Sequence, residues 1–210
     1  MKAKVTLVLI FSILFLSPAL AQKKLKLGLN VGGQYTDLRG FERQVKSDFE
    51  IGLMYGINIE YLYSDKISIV TGFNSERWTK KKEIIYFDSQ ANEDGKDTFK
   101  ESHDFFNIPL LFRYKFGKKM QFFVDGGGFL NYFNKAKANE FEPLFINFED
   151  FNYGLAFGIG TTFRFKNNTD ITLQFRNDIG LADVNKNKDI KGGNIKTNTF
   201  RLIATYNFWL

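Results

Sequence analysis

The sequence predicts an all-β fold, an eight-stranded antiparallel up-and-down transmembrane β-barrel. Three observations lead to this prediction. Apolar and polar residues alternate with a period of two through most of the chain after residue 22, which is typical of strands with two unlike faces. Eight such segments can be counted, and eight is the smallest usual number for a closed membrane barrel. The connections between them alternate between tight turns and long polar stretches.

Residues 1–21 precede the alternating region and have the features of a secretory signal peptide. Lys2 and Lys4 provide the positive start, an apolar run follows, and residues 19–21 read Ala-Leu-Ala, a small-x-small cleavage site. We therefore expect two parts: the signal peptide, and an outer-membrane β-barrel domain over residues 22–210.

The first four alternating segments each place apolar side chains on one face and polar or glycine residues on the other. They span residues 25–35, 49–63, 67–73 and 106–116. In the third segment the pattern blurs after Asn74, because Arg77 and Trp78 fall on faces that do not suit them. In the fourth segment Pro109 removes a backbone donor from a strand that needs pairing on both sides. A bulge or a non-hydrogen-bonded position would accommodate it.

The last four segments span residues 122–132, 151–165, 171–181 and 200–210, and their polar faces are rich in glycine. Small residues on the polar face suit a narrow interior. Aromatic pairs stand beside the short turns and predict an aromatic girdle at the periplasmic interface: Tyr61 and Tyr63, Tyr114 and Phe116, Phe163 and Phe165, and Tyr206 and Phe208.

The connections predict which end of the barrel faces the cell exterior. Tight turns are expected at residues 64–66, 117–119 and 166–170, and long polar connections at 36–47, 80–103, 134–149 and 182–197. Membrane barrels have short periplasmic turns and long external loops. The aromatic residues of the third long connection, including Phe148, either bind a partner or cover the barrel mouth.

Two soluble folds are alternatives. A sandwich leaves strand edges exposed, whereas a closed barrel removes them. A lipocalin-like barrel turns its apolar face inward around a ligand, which the glycine-rich and oppositely charged polar face does not suit. The membrane barrel is therefore the fold that we expect.

Composition argues against an enzyme. The chain has no Cys and one His, which excludes thiolate metal sites and cysteine nucleophiles. Ser102, His103 and Asp104 are consecutive, and neighbouring strand side chains point to opposite faces, so they cannot form a Ser–His–Asp relay. We expect no catalytic, metal or cofactor-binding residues and no cofactor. The net charge of +6 falls to +4 without Lys2 and Lys4, which is too small a surplus to predict nucleic-acid binding.

Charged residues of both signs lie on the polar faces and are candidates for a charge network in the barrel lumen. They are Glu50, Glu60, Asp125, Asp178, Arg113, Lys115, Arg164, Arg176 and Arg201. Unpaired buried ions are costly, so the charges are expected to pair with each other and plug the lumen. A small polar pore is the alternative.

Two further sets of residues are candidates for contacts outside the lumen. Arg77, Lys80, Lys81 and Lys82 lie where the third strand reaches the external rim, and they form a candidate contact with the phosphates of lipopolysaccharide. Tyr206, Phe208 and Leu210 in the last strand form a candidate signal for the outer-membrane assembly machinery.

Several stretches carry a resemblance to a known family. They are Phe106-Asn107-Ile108-Pro109-Leu110-Leu111 running to Phe116, the glycine-rich residues 124–128 and 154–160, and the terminal Tyr206-Asn207-Phe208. The chain from residue 22 onward resembles the small eight-stranded, porin-family barrels of Bacteroidetes known as the PorT or outer membrane protein beta-barrel domain family.

This resemblance implies a place in the bacterial outer membrane and a structural or interaction role. The family takes its name from a member that is linked to secretion and gliding, so the resemblance implies a role as an accessory of a secretion or gliding assembly. From the resemblance together with the rim charges and the last strand, we expect the partners to be outer-membrane lipid and lipopolysaccharide, the outer-membrane assembly machinery and other envelope proteins. A small-solute porin with a narrow polar lumen is the alternative function.

Overall fold

The computed structural model describes residues 24–40, 48–87, 93–117, 120–138, 148–165, 168–186 and 194–210. These residues form nine antiparallel strands. They are β1 (Leu25–Arg39), β2 (Asp48–Glu50), β3 (Gly52–Leu62), β4 (Ile67–Phe87), β5 (Glu93–Phe116), β6 (Gln121–Ala138), β7 (Phe151–Arg164), β8 (Thr169–Gly180) and β9 (Lys196–Trp209). Among the described residues, no helix is long and apolar enough to cross a bilayer.

The strands close into a barrel with eight positions around its wall. The sheet runs β2-β4-β3-β1-β9-β8-β7-β6-β5, and an additional pairing of β4 with β5 joins its ends. The short β2 shares one wall position with β3, because both pair with β4 and only Ile51 separates them. The predicted eight-stranded antiparallel barrel is confirmed.

The strand register fixes the shape of the barrel. A path that follows directly paired residues from Asn152 on β7 passes through Asn131, Asn107, Asn74, Gly56, Asn30, Thr205 and Thr172, and returns to β7 at Thr162. The path therefore returns ten residues from where it began. For eight strands, this stagger requires a tilt of about 35–45° and leaves an interior just wide enough for side chains.

The exposure of side chains is inverted relative to a soluble protein. On β7, Tyr153, Leu155 and Phe157 point outward and are exposed, whereas Asn152 and Ala156 point inward and are buried. Ten residues separate Tyr153 from Phe163 on the same outer face. With a rise of about 3.3 Å per residue and this tilt, they lie about 25 Å apart along the barrel axis. That height matches the apolar band of outer-membrane barrels.

The two ends of the barrel differ in the length of their connections. At one end Ser64 N donates to Ile67 O at 3.0 Å in a tight turn, and the turn after β5 uses Gly117 with a φ of +94°. The strands at the other end continue far beyond the apolar band. By the rule that short turns are periplasmic, the end with the extended strands is the external end.

The expectation of a long connection over residues 80–103 was wrong in its extent. In the structure β4 continues to Phe87 and β5 begins at Glu93, so most of this stretch is a two-stranded extension of the barrel wall. The reason is that Ile84, Ile85 and Tyr86 have a high preference for strands, which the preceding lysines obscured in the sequence pattern.

Pro109 is accommodated without a bulge between β4 and β5. Thr71 pairs with Leu110 and Asn74 pairs with Asn107, so the register is the same on both sides of the proline. The hydroxyl of Thr71 donates to Pro109 O at 2.8 Å and compensates in part for the interrupted ladder. Neither Ile108 nor Pro109 has a ladder partner on β4, so the structure accommodates the proline where the ladder between β4 and β5 is interrupted.

The proposed signal peptide, residues 1–21, lies outside the described residues, as do Phe141, Phe145 and parts of the four long connections. The side chains of Lys80, Lys81 and Lys82 also lie outside the described part, although their backbones pair within β4 and β5.

Candidate functional site: the filled lumen and the external rim

The periplasmic half of the lumen contains a bidentate ion pair. Arg113 Nε lies 2.8 Å from Asp125 Oδ1, and Arg113 Nη2 lies 2.9 Å from Asp125 Oδ2. The two residues face each other directly across β5 and β6. The guanidinium also covers the ring of Phe123 at 3.7 Å, and Gln174 on β8, two strands away from Asp125, donates to the carboxylate. This arrangement pairs two parallel donors of the planar guanidinium with the two oxygens of one carboxylate.

Four more charges belong to the same periplasmic cluster, because Arg113 Nη1 also lies 3.7 Å from Glu60 Oε2. Lys26 Nζ lies 2.7 Å from Asp170 Oδ2 and 3.8 Å from Glu60 Oε2, and Lys115 forms a further ion pair with Glu60. The indole ring of Trp209 covers the ammonium of Lys26 at 4.2 Å. These contacts join strands from opposite sides of the wall and leave all four charged side chains buried.

A belt of amides crosses the middle of the lumen. Asn30 donates to Asn74 at 2.8 Å, Asn74 to Asn107 at 3.4 Å, and Asn107 to Asn131 at 2.7 Å. Thr205 extends the belt by donating to Asn30 at 2.9 Å. The belt follows the barrel register, because these residues face inward at directly paired positions. Gly56 of β3 lies between Asn30 and Asn74, and its lack of a side chain lets the two amides meet across it.

The external half of the lumen contains a second charge cluster. Arg201 Nε and Nη2 lie 2.9 and 2.8 Å from the two carboxylate oxygens of Glu76, and Arg201 Nη1 pairs with Asp178. Arg176 Nε lies 3.0 Å from Asp178 Oδ1. In the amide orientation that satisfies its neighbours, Gln34 donates to Glu76 at 3.0 Å.

An apolar cluster, which we call the cap, closes the lumen above these charges. It consists of Trp78, Phe105, Phe148, Val184 and Ile195, all buried. Phe148 lies edge-on to Trp78 with 6.0 Å between ring centroids, and Trp78 Nε1 donates to the reoriented amide of Gln34 at 3.1 Å. The sequence left two roles open for Phe148, binding a partner or covering the barrel mouth, and the structure supports the second.

The lumen charges of the described residues balance. Five basic and five acidic side chains are buried: Lys26, Arg113, Lys115, Arg176 and Arg201 against Glu60, Glu76, Asp125, Asp170 and Asp178. A balanced interior gives no preference for cations or anions. Within the described ranges, no three His, Asp or Glu side chains are grouped closely enough to hold a metal ion.

Seven of the predicted lumen residues enter the two clusters: Glu60, Asp125, Asp178, Arg113, Lys115, Arg176 and Arg201. The structure does not bring Arg164 into either cluster: its side chain is exposed at the periplasmic end and donates to Gln121 at 3.1 Å. Glu50 lies half-buried on β2 at the external end.

The sequence reasoning missed Lys26, Glu76 and Asp170. Lys26 lies on the polar face of the first alternating segment, so the predicted charge network could have included it. Glu76 lies where the apolar–polar alternation of the sequence blurs. In the structure the strand continues there with regular alternation of side chains: Glu76 and Trp78 point inward, and Arg77 points outward. Asp170 was assigned to a tight turn, whereas it is a fully buried residue of β8.

The external rim carries an exposed ion pair. Arg77 Nε lies 2.7 Å from Asp104 Oδ1 and Nη2 lies 3.1 Å from Oδ2. The hydrogen bond to Asp104, together with its charge, raises the pKa of the Arg77 guanidinium above its ordinary value. The guanidinium side chain remains 53% exposed, so it stays charged and accessible.

The remaining predicted residues lie on the outer face or at the mouth. Tyr206, Phe208 and Leu210 all face outward and are exposed, and the rings of Tyr206 and Phe208 meet edge-on at 4.7 Å. His103 is buried, and its ring centroid lies 4.8 Å from that of Phe148. Its chain neighbours Ser102 and Asp104 are partly exposed, because successive strand side chains face opposite sides of the wall. The three consecutive residues 102–104 therefore do not meet as a catalytic relay.

Comparison with known proteins agrees with this architecture. Residues 20–186 match the family described as "Outer membrane protein beta-barrel domain". Neisserial surface protein A has a similar structure, with a TM-score of 0.53 at 12% identity over 89% of this chain and 97% of that one. The outer membrane protein OprG from Pseudomonas aeruginosa has a TM-score of 0.53 at 11% identity, over 89% of this chain and 95% of that one.

No curated protein matches the sequence significantly. The two similar structures have low identity and show the shared fold alone. The family match covers most of the chain and agrees with the closed barrel and its apolar outer band. This chain therefore belongs to the outer membrane protein beta-barrel domain family and resides in the bacterial outer membrane.

Proposed function

We propose that this protein is a closed, non-conducting barrel that acts through its external surface as a structural or interaction component of the envelope. The observation that carries the proposal is the filling of the lumen from end to end. Two charge clusters, the amide belt and the apolar cap follow one another along the axis. No catalytic role is part of the proposal.

The physical argument is the cost of opening this interior. An eight-stranded barrel has room for side chains and little more. Moving one side chain aside separates a buried ion pair, and an uncompensated buried charge costs about 3–5 kcal/mol. A steady pathway through both clusters requires several such separations at once, which thermal motion supplies only rarely.

The finer role that we propose is that of an accessory in a secretion or gliding assembly. The resemblance of the segment Phe106–Phe116 to the PorT family supports this role, together with the two-stranded external extension of β4 and β5. A wall that continues beyond the apolar band presents backbone and side chains to other envelope proteins.

A small-solute porin is the second candidate, and one observation favours it. The cap is the outermost layer of the lumen interior, and Phe148, Val184 and Ile195 in it lie outside the strands. Residues in connections can move without breaking the wall. If the cap opened, the charge clusters and the amide belt would lie below it, together with a smaller apolar cluster of Val70, Leu111, Phe129 and Ala156.

Conductance in planar bilayers tests the closed lumen. We expect no steady conductance from the wild type or from a cap variant, Phe148→Ala with Val184→Ala, because the charge clusters remain below. A variant that also replaces Arg201 and Glu76 in the external cluster and Arg113 and Asp125 in the periplasmic cluster by serine serves as the positive control for leakage. Stable wild-type channels would overturn the proposal, and channels in the cap variant alone would support a gated porin.

Affinity purification from native membranes tests the accessory role. We expect the tagged barrel to retain a defined envelope protein after mild detergent extraction. A variant with residues 82–99 replaced by a two-residue turn is the control, since it keeps the membrane-embedded wall. Solitary wild-type barrels, or identical recovery of the partner with both forms, would refute a role for the external extension.

A further inference from the structure

The barrel wall has a local break between β3 and β4 in its external half. Glu50 pairs with Thr79 and Met54 pairs with Glu76, so three residues on one strand oppose two on the other. This is a bulge, which bends a strand and leaves ladder positions unpaired. Gly52 is required there, because a Cβ atom at this position would lie 1.9 Å from Arg77 O.

A recess of about 860 Å³ lies at this break. It opens on the outer face of the barrel, where lipid surrounds the protein. Its apolar lining includes Ile51, Leu53, Tyr55, Ile57, Phe73 and Phe106. Ile51 and Leu53 are 76% and 72% exposed, the highest values among the large apolar side chains of the described residues. An apolar recess at this depth is filled by hydrocarbon in a membrane.

Charged residues line the external side of the same recess. Arg77 and Lys135 contribute two positive charges and Asp104 one negative charge. Glu76 also lines the recess, but its carboxylate is buried and paired with Arg201 inside the lumen. Asp104 holds the Arg77 guanidinium in a fixed orientation while about half of that side chain stays exposed. The rim therefore has a surplus positive charge next to an apolar recess.

A second groove on the outer face provides a comparison. It has a volume of about 650 Å³ and surrounds Gly160 in the periplasmic half, and none of the described residues that line it is charged. Ordinary hydrocarbon packing suffices to fill such a groove. The recess between β3 and β4 differs because its apolar lining and its cationic rim are adjacent.

We propose that this recess binds one molecule of lipid A, the phosphorylated and acylated anchor of lipopolysaccharide. An acyl chain occupies the apolar lining, and a phosphate contacts Arg77 and Lys135. Arginine and lysine are the preferred protein partners of phosphate. The lipid lies in the external leaflet, on the side of the barrel where the recess opens. The proposal rests on the orientation of the barrel and is independent of whether the lumen conducts.

Native mass spectrometry of the barrel in dodecylmaltoside micelles, titrated with lipid A, tests the site. We expect one molecule to bind per barrel. Leu53→Trp places a larger side chain in the recess. We expect this side chain to exclude about two methylene groups of the acyl chain, which weakens lipid A binding about tenfold. Leu155→Trp is the matched control, because Leu155 faces lipid on β7, on the opposite wall. Lys135→Gln should weaken binding of lipid A and leave binding of its dephosphorylated form unchanged.

Heat-modifiable gel mobility confirms that each variant is folded before its binding is compared. Equal lipid A binding by Leu53→Trp and Leu155→Trp would overturn the site. Equal binding of lipid A and its dephosphorylated form by the wild type would overturn the phosphate contact. Equally tight binding of phosphatidylglycerol would overturn the assignment to lipid A.

Discussion

Replacing Arg201 by methionine is the sharpest test of the filled lumen. Met has a similar length and no charge, so the change removes the guanidinium and leaves most of the packing volume. Glu76 then loses both of its close contacts to Arg201, at 2.9 and 2.8 Å, and Asp178 loses one of its two arginine partners. Both carboxylates stay buried.

The structure sets the expected size of the effect. Removing one partner of a buried ion pair costs about 3–5 kcal/mol, because the remaining charge has no compensation. Arg201→Met should lower the free energy of unfolding by an amount in this range. Arg164→Met is the control: this arginine is exposed, and an exposed contact contributes about 1 kcal/mol or less.

Unfolding in urea, followed by tryptophan fluorescence in lipid vesicles, measures the effect. The chain contains two tryptophans, and they report on both ends of the lumen: Trp78 belongs to the cap, and Trp209 covers Lys26. The double variant Arg201→Met with Glu76→Gln should recover part of the loss, because it removes the unpaired charge. A cost below about 1 kcal/mol for Arg201→Met would show that these carboxylates are hydrated and that the lumen is open.

Three further outcomes are expected. A cysteine at Lys186 should react with an impermeant maleimide on intact cells and one at Asp65 should not; the opposite pattern would invert the barrel. Phe208→Asp should reduce heat-modifiable protein in the outer-membrane fraction more than Phe163→Asp, although the two side chains are similarly exposed, at 39% and 38%; equal losses would remove any special role of the last strand. Asn107→Ala should cost about 1–3 kcal/mol in urea unfolding, since its neighbours in the belt lose their partner; an unchanged midpoint would show that water replaces the amide.

The sequence predicted the wall of the barrel well because one physical rule governs it. Inside the apolar band every strand faces hydrocarbon on one side and polar side chains on the other, so the period of two appears directly in the residues. Both the number of wall positions and the outward orientation of Tyr206 and Phe208 follow from this rule.

The same rule failed above the apolar band. There the outer face meets water and the interior is closed by the cap, so the polarity of the two faces is reversed. Trp78 points inward and Arg77 points outward. Because an apolar residue now faces inward and a charged one outward, the sequence pattern looked as if the alternation had ended. The recess near Arg77 was also beyond prediction, because it depends on a register difference between two strand pairings.

The contacts among the layers of the lumen determine how the barrel can change. Arg176 pairs with Asp178 in the external cluster and donates to Asn107 in the amide belt at 2.9 Å. Asn207 donates to Asp170 at 2.6 Å and to Thr172 at 3.0 Å in the periplasmic half. Polar groups that share partners respond together, so substitutions in neighbouring layers should not be additive. Opening a continuous pathway therefore requires changes in the cap and in both charge clusters, whereas the outer face can bind lipid or a partner without disturbing any of them.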